Sequence, residues 1–350
     1  MPTLPVELIL AIAENLPFNA FFALLRAIPE LGALLTHRHQ WRNASTTALH
    51  VAAREADHRI CAALLSSAAV DPNVQTTDSK QTPLHLVAAN GCVSIAKRLL
   101  VRPDIDVNCR DSAGRTPLLI ASMNGHCGVV ALLAARDDID RNARDAHLQT
   151  PLFCAAWGGH VGVVRLLVGC DGIELDSGDD GARTPLLVAA MSGHGDVVRL
   201  LLRRGGVDVN ARDVNGWTPL LWAARFGCDE GVERLLGREE IDVNCRGAFG
   251  WTPLLIAAMN GHDTVVARLV GQGKLEMNCR DERQMTPLCW ATRNQHRGVV
   301  GLLLKHGGVE VPPRLPPSRC RVSLRMILRR YLSVLTRHAR ISHSRAVKSG

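Results

Sequence analysis

The chain lacks any run of about eighteen apolar residues, so no membrane span is expected. It has no Cys-x-x-Cys pair and no His-Glu-x-x-His, which removes the short zinc signatures. Gly271-Gln272-Gly273-Lys274 lacks the Ser or Thr that follows the lysine of a phosphate-binding loop. The acidic run from Asp176 to Asp180 lacks calcium-loop spacing. The first residues carry Glu7 and Glu14 and no basic start, unlike a secretory signal peptide. Asn43-Ala44-Ser45 is then a glycosylation sequon in form only. Aromatic residues make up 4% of the chain, so a cluster of them on one face is informative.

Acidic residues are absent from one region. Residues 312–350 hold nine Arg and one Lys with no Asp or Glu, which leaves about −2 of the net +8 for everything before them. The basicity belongs to this tail, and a nucleic-acid reading rests on it alone. Pro312-Pro313-Arg314-Leu315-Pro316-Pro317 reads as a stiff linker. Leu324, Ile327, Leu328, Tyr331 and Leu335 then share a helical face among arginines, either as a basic amphipathic helix or as chance periodicity in a disordered end.

What is present is a repeat. Thr-Pro-Leu returns every 34 residues, at Thr82, Thr116, Thr150, Thr184, Thr218, Thr252 and Thr286, with a weaker copy at Thr47-Ala48-Leu49. A period of this size predicts stacked supersecondary units and an extended binding surface rather than a reaction centre. Thr-Pro predicts a capped helix start, and the Gly slot of Gly91, Gly125, Gly159, Gly193, Gly227 and Gly261 predicts its end at positive φ. Ala56 and Gln295 fill that slot in the first and last units. A second helix follows, its buried stripe repeating at Leu99, Leu133, Leu167, Leu201, Leu235, Leu269 and Leu303. Stretches such as Asp104-Ile105-Asp106-Val107-Asn108 alternate in polarity and run into a Gly turn, which predicts a β-hairpin finger.

Eleven cysteines raise the question of disulfides, but Cys109, Cys245 and Cys279 share a slot with Ala143, Ser177 and Ala211, which asks only for a small side chain. An intracellular, reduced protein is expected, cytoplasmic or nuclear. His126, His160, His194, His262 and His296 form a row with Cys92 and Cys228, one per repeat and so too far apart to share a metal. Ser94-Ile95-Ala96-Lys97, spaced like a Ser/Lys nucleophile pair, falls inside a second helix and reads as structural. No catalytic residue, metal site or cofactor is expected.

This pattern resembles the ankyrin repeat: a finger, a Thr-Pro-Leu-His helix start, Gly-His between helices, then Val-Val-x-Leu-Leu. The resemblance covers residues 43–311 in eight units. The His after Thr-Pro-Leu survives only at His50 and His85. The resemblance implies a concave face, lined by finger tips and first-helix ends, that grips a protein target. The slots on it are Arg115, Met123, Asn124, Gln149, Trp157, Arg183, Met191, Asn215, Trp217, Arg225, Phe226, Phe249, Trp251, Met259, Asn260, Arg283, Met285, Arg293 and Asn294. Trp217 and Trp251 either meet the partner or pack on neighbouring fingers. Trp222 and Trp290 occupy a slot that the family buries.

Residues 1–40 resemble an F-box at Leu4, Pro5, Glu7, Ile12 and Leu16, with three short helices expected before Trp41-Arg42. That resemblance implies docking on the Skp-type adaptor of a cullin–RING ubiquitin ligase. A helical cap for the first repeat is the alternative. The expected architecture is all-α: an ankyrin-repeat solenoid of helix-turn-helix units with β-hairpin fingers, after a three-helix F-box-like segment. No small-molecule substrate is expected.

Overall fold

The structure, a computed structural model, describes residues 17–27, 42–43, 46–68, 70–306 and 309. Two compact units divide the chain, one of residues 1–185 and 204–206, the other of 186–203 and 207–350. The first begins with α1 (Phe18–Ala27), which Pro17 precedes. The other two helices expected around it, and the basic tail, lie outside the described residues. A two-residue antiparallel pair follows, β1 (Arg42–Asn43) and β2 (Thr46–Thr47). Helix pairs come next: α2 (Ala48–Arg54) with α3 (His58–Ser66), α4 (Pro83–Asn90) with α5 (Val93–Leu100), α6 (Pro117–Met123) with α7 (Cys127–Ala134), and α8 (Pro151–Trp157) with α9 (Val161–Val168). After α10 (Pro185–Met191) and α11 (Gly195–Arg204), the second unit holds α12 (Pro219–Phe226) with α13 (Asp229–Leu236), α14 (Pro253–Asn260) with α15 (Asp263–Val270), and α16 (Pro287–Arg293) with α17 (Arg297–His306).

Six first helices start as Thr-Pro dictates. The Thr82, Thr116 and Thr150 hydroxyls accept from the N–H three residues on, as do Thr218, Thr252 and Thr286 in the second unit. Such a cap contributes about 1 kcal/mol. At Thr82 the cap is reciprocal: His85 Nδ1 accepts from the Thr82 N–H at 3.1 Å, so Nε2 donates to the Arg115 carbonyl at 3.0 Å. Burial lowers the His85 pKa and keeps the ring neutral for this task. Where Leu119, Leu221 or Leu255 stands instead, that tie to the next finger has no donor.

The second-helix stripe is buried as expected. Leu99, Leu133 and Leu167 are fully buried in the first unit, and Leu201, Leu235, Leu269 and Leu303 in the second. Helices of seven or eight residues are too short to persist alone in water, so this packing is what holds them.

Beyond the first repeat the described fingers form no strand ladder. Among the described residues the only strand pair is β1–β2. The alternating stretch is held by asparagines: Asn108 Nδ2 donates to the Asp138 carbonyl at 2.7 Å, and its Oδ1 accepts from the Asp140 N–H at 2.9 Å. Asn73 and Asn142 do the same in the first unit, as do Asn210 and Asn244 in the second. A carboxamide of one repeat thus satisfies the backbone of the next, and no strand ladder is needed. Neighbouring finger tips share one backbone bond, such as Ala146 N to Ala113 O at 2.9 Å.

The helix-closing slot has positive φ throughout, including at Ala56 (56°) and Gln295 (64°). Where a histidine heads the following repeat, glycine in the slot has a second reason. The histidine of the following repeat lies over the slot, so a Cβ at Gly125 would stand 2.6 Å from the His160 ring. His160 Nε2 in turn donates to the Met123 carbonyl at 2.9 Å. The imidazole row therefore ties repeats together, with His126 on Ala89 O in the first unit and His262 and His296 on Arg225 O and Met259 O in the second. Where cysteine replaces the histidine, at Cys228, Gly193 has nothing within 4 Å of the equivalent Cβ. Gly193→Ala should therefore cost only the left-handed strain of about 1–2 kcal/mol, less the entropy alanine removes from the unfolded chain. Gly125→Ala should lose at least about 1 kcal/mol more in urea denaturation, because His160 must give up its carbonyl. Equal losses would refute the imidazole's role.

Candidate functional site

Five fingers turn around a carboxylate whose role the sequence did not suggest. Asp111 Oδ1 accepts from the N–H groups of Ala113 and Arg115, and Asp145 and Asp179 repeat the pattern in the first unit. In the second unit Asp213 and Asp281 do so, while Gly247 stands in the slot between them. These five carboxylates are buried. The aspartate recurs in phase in the sequence, which was the available signal.

The other carboxylate oxygen divides the two units. In the first, Arg115 Nε and Nη2 reach Asp111 Oδ2 at 2.9 and 2.7 Å, and Arg183 grips Asp179 in the same fork. Both arginines, expected to face a partner, are half-buried and neutralise a buried charge. Arg183 also lies over Trp157, 5.7 Å from its ring centre. Trp157 and Met123 are exposed, and Gln149 is half-buried against Cys154.

In the second unit the donors are indoles. Trp222 Nε1 donates to Asp213 Oδ2 at 3.0 Å, and Trp290 Nε1 to Asp281 Oδ2 at 2.8 Å. The two tryptophans expected in the core are therefore half-buried on the finger side. Trp217, for which both partner contact and packing on neighbouring fingers stood open, is 4% exposed. It packs on Trp222 (4.6 Å between ring centres) and edge-on to Trp251 (6.0 Å). Gly247 lies beside this cluster: a Cβ there would be 3.1 Å from Leu221 and in ordinary contact, at 3.4 Å, with the Trp217 ring.

Outside this core the aromatic row continues to solvent. Phe226, 54% exposed, stacks on Trp222 at 5.8 Å, and Phe249, 60% exposed, leans on half-buried Trp251 at 5.3 Å. The Arg225 guanidinium stands 5.2, 5.5 and 5.8 Å from the ring centres of Trp217, Trp222 and Phe226. Arg293 stands 5.3 Å over Trp290. Met191, Met259 and Met285 are half-buried, and Asn215 and Arg283 are exposed. Asn260 and Asn294 in this unit, like Asn124 in the first, donate to the carbonyl of the preceding repeat. A pocket of about 180 Å³ opens between Phe249, Trp251, Asp281, Glu282, Arg283 and Trp290.

The ten described cysteines are free, and burial pushes Cys245 up to about 11 and Cys154 up to about 12. Cys245 and Cys279 pair instead with the capping hydroxyls of Thr218 and Thr252, at 3.2 and 3.0 Å. Among the described residues no helix is long and apolar enough to cross a membrane. Leu4, Pro5, Glu7, Ile12 and Leu16 lie outside the described residues.

Trp217→Ala should remove about 3–5 kcal/mol, as for other buried aromatics, whereas Phe226→Ala should change stability by under about 1 kcal/mol. Thermal and urea unfolding of the two variants check the assignment of one to the core and the other to the surface.

A family model described as ankyrin repeats (3 copies) matches four times, over residues 8–111, 84–179, 172–247 and 232–313. The first match opens inside the segment that resembles an F-box. No curated protein matches the chain. Periodic helix pairs, caps and finger turns agree with the matched model over most of the sequence, and the chain belongs to the ankyrin-repeat family.

Proposed function

We propose that this ankyrin-repeat protein is a non-enzymatic receptor for a protein target, held on the finger and first-helix face. Ankyrin repeats are protein-interaction modules, and that coarser role is the ground on which the finer reading stands. The observation that carries the finer reading is the aromatic and arginine row of the second unit. Phe226, Phe249, Arg225 and Arg293 are exposed beside rings that are already fixed in place. Aromatic and arginine side chains held rigidly at a surface are the residues that most often carry binding energy.

The N-terminal segment extends the proposal. The spacing of Leu4, Pro5, Glu7, Ile12 and Leu16 supports docking on a Skp-type adaptor, which makes the chain a substrate receptor of a cullin–RING ubiquitin ligase. A second reading, a cap without a ligase link, is favoured by α1. Its Phe22 is buried, and Arg26 pairs with Glu55 at the end of α2 and reaches Asp57 at 3.9 Å.

Proximity labelling in the native host identifies targets. Phe226→Ala/Phe249→Ala should then weaken capture of a target tenfold or more, at nearly unchanged melting temperature. Undiminished capture would remove the proposed face. For the adaptor, the wild-type chain should retain the Skp-type protein in a pulldown and Leu4→Ala/Pro5→Ala/Leu16→Ala should not. Absence of retention by the wild type would leave the cap reading.

A further inference from the structure

Four arginines on the finger side fall into two chemically different pairs. Arg115 and Arg183, two repeats apart in the first unit, each satisfy a buried finger aspartate. Arg225 and Arg293 are also two repeats apart, in the second unit, but they stand at first-helix ends, in the slot of Met123 and Trp157, and the finger aspartates of that unit accept from Trp222 and Trp290. Among the described residues neither arginine has a carboxylate within ion-pair reach, and both are exposed. Each guanidinium is instead stationed over indole rings. A guanidinium over a ring keeps its in-plane N–H donors for a second partner, and their fork matches a carboxylate.

From this we infer that the second unit binds an extended acidic segment of its protein partner, one carboxylate on Arg225 and another on Arg293. The inference rests on the protein-binding reading and names the chemistry of the partner. Phe226, Trp251 and Met259 lie in the interval and take apolar side chains between the two acids. Packed helices are about 8–10 Å apart, so two repeats span about 16–20 Å. An extended chain advances about 3.3 Å per residue, which sets the two acids about five residues apart. The rival is a cationic side chain in the neighbouring pocket, drawn by Asp281, Glu282 and three aromatic rings. At about 180 Å³ that pocket lies below the roughly 300–1,000 Å³ that whole small molecules occupy, and Arg283 in its wall opposes a cation.

Three fluorescein-labelled, end-blocked hexapeptides decide the matter with the full chain: Glu-Leu-Ala-Leu-Ala-Glu and its versions with Gln or Lys at both ends. In anisotropy titrations at low salt the Glu peptide should bind about five- to tenfold more tightly than the Gln peptide, with the margin shrinking as salt rises. Arg225→Gln/Arg293→Gln should erase the margin, while Arg234→Gln on α13, away from this face, should keep it. Equal binding of the Glu and Gln peptides, preference for Lys, no binding of any peptide, or tighter binding of a single-stranded DNA hexamer would each overturn the inference. If it falls while Phe226→Ala/Phe249→Ala still loses a captured target, binding of proteins on this face stands and only the acidic partner is wrong.

Discussion

Short helices have to be held by their neighbours. A seven-residue helix closes few of its own hydrogen bonds, and its nucleation cost is never recovered in isolation. In both units that deficit is met from the adjacent repeat. Leucines of successive second helices bury one another, imidazoles close the carbonyls left at first-helix ends, and asparagine carboxamides complete the loops. Stability in such a stack is a sum of nearest-neighbour terms. Damage at one junction is therefore felt most by the two repeats that share it.

This dependence explains what could be read from the sequence. The leucine stripe and the Thr-Pro start are local instructions repeated in phase, and the structure follows them. Positive φ at Ala56 and Gln295 was legible too, because the register assigned those residues to a slot otherwise filled by glycine. The fingers were misread because Asp-Ile-Asp-Val-Asn alternates like a strand. Its backbone is satisfied by an asparagine from another repeat, a partner that no local window contains.

The tryptophans show the same limit at the candidate site. Trp217 and Trp251 occupy one slot, yet one is buried and the other half-exposed. Their neighbours in the next finger differ: Gly247 lies against Trp217, whereas Asp281 lines a pocket with Trp251. Trp222 and Trp290 move outward because their N–H finds a carboxylate at the finger base. Slot position gave the helix correctly, but the exposure of Trp222 and Trp290 follows an aspartate nine positions away.

The meeting of glycine and imidazole also limits how these modules can be rearranged. A repeat headed by histidine needs a predecessor that ends in glycine, because the ring occupies the volume of a Cβ. Ala56 is followed instead by Cys92, and the open Gly193 by Cys228. Duplication or deletion of whole repeats is therefore not free. A copy inserted behind Ala56 with histidine at its head would meet a methyl group where the ring should lie, so viable shuffling must carry both sides of each seam together.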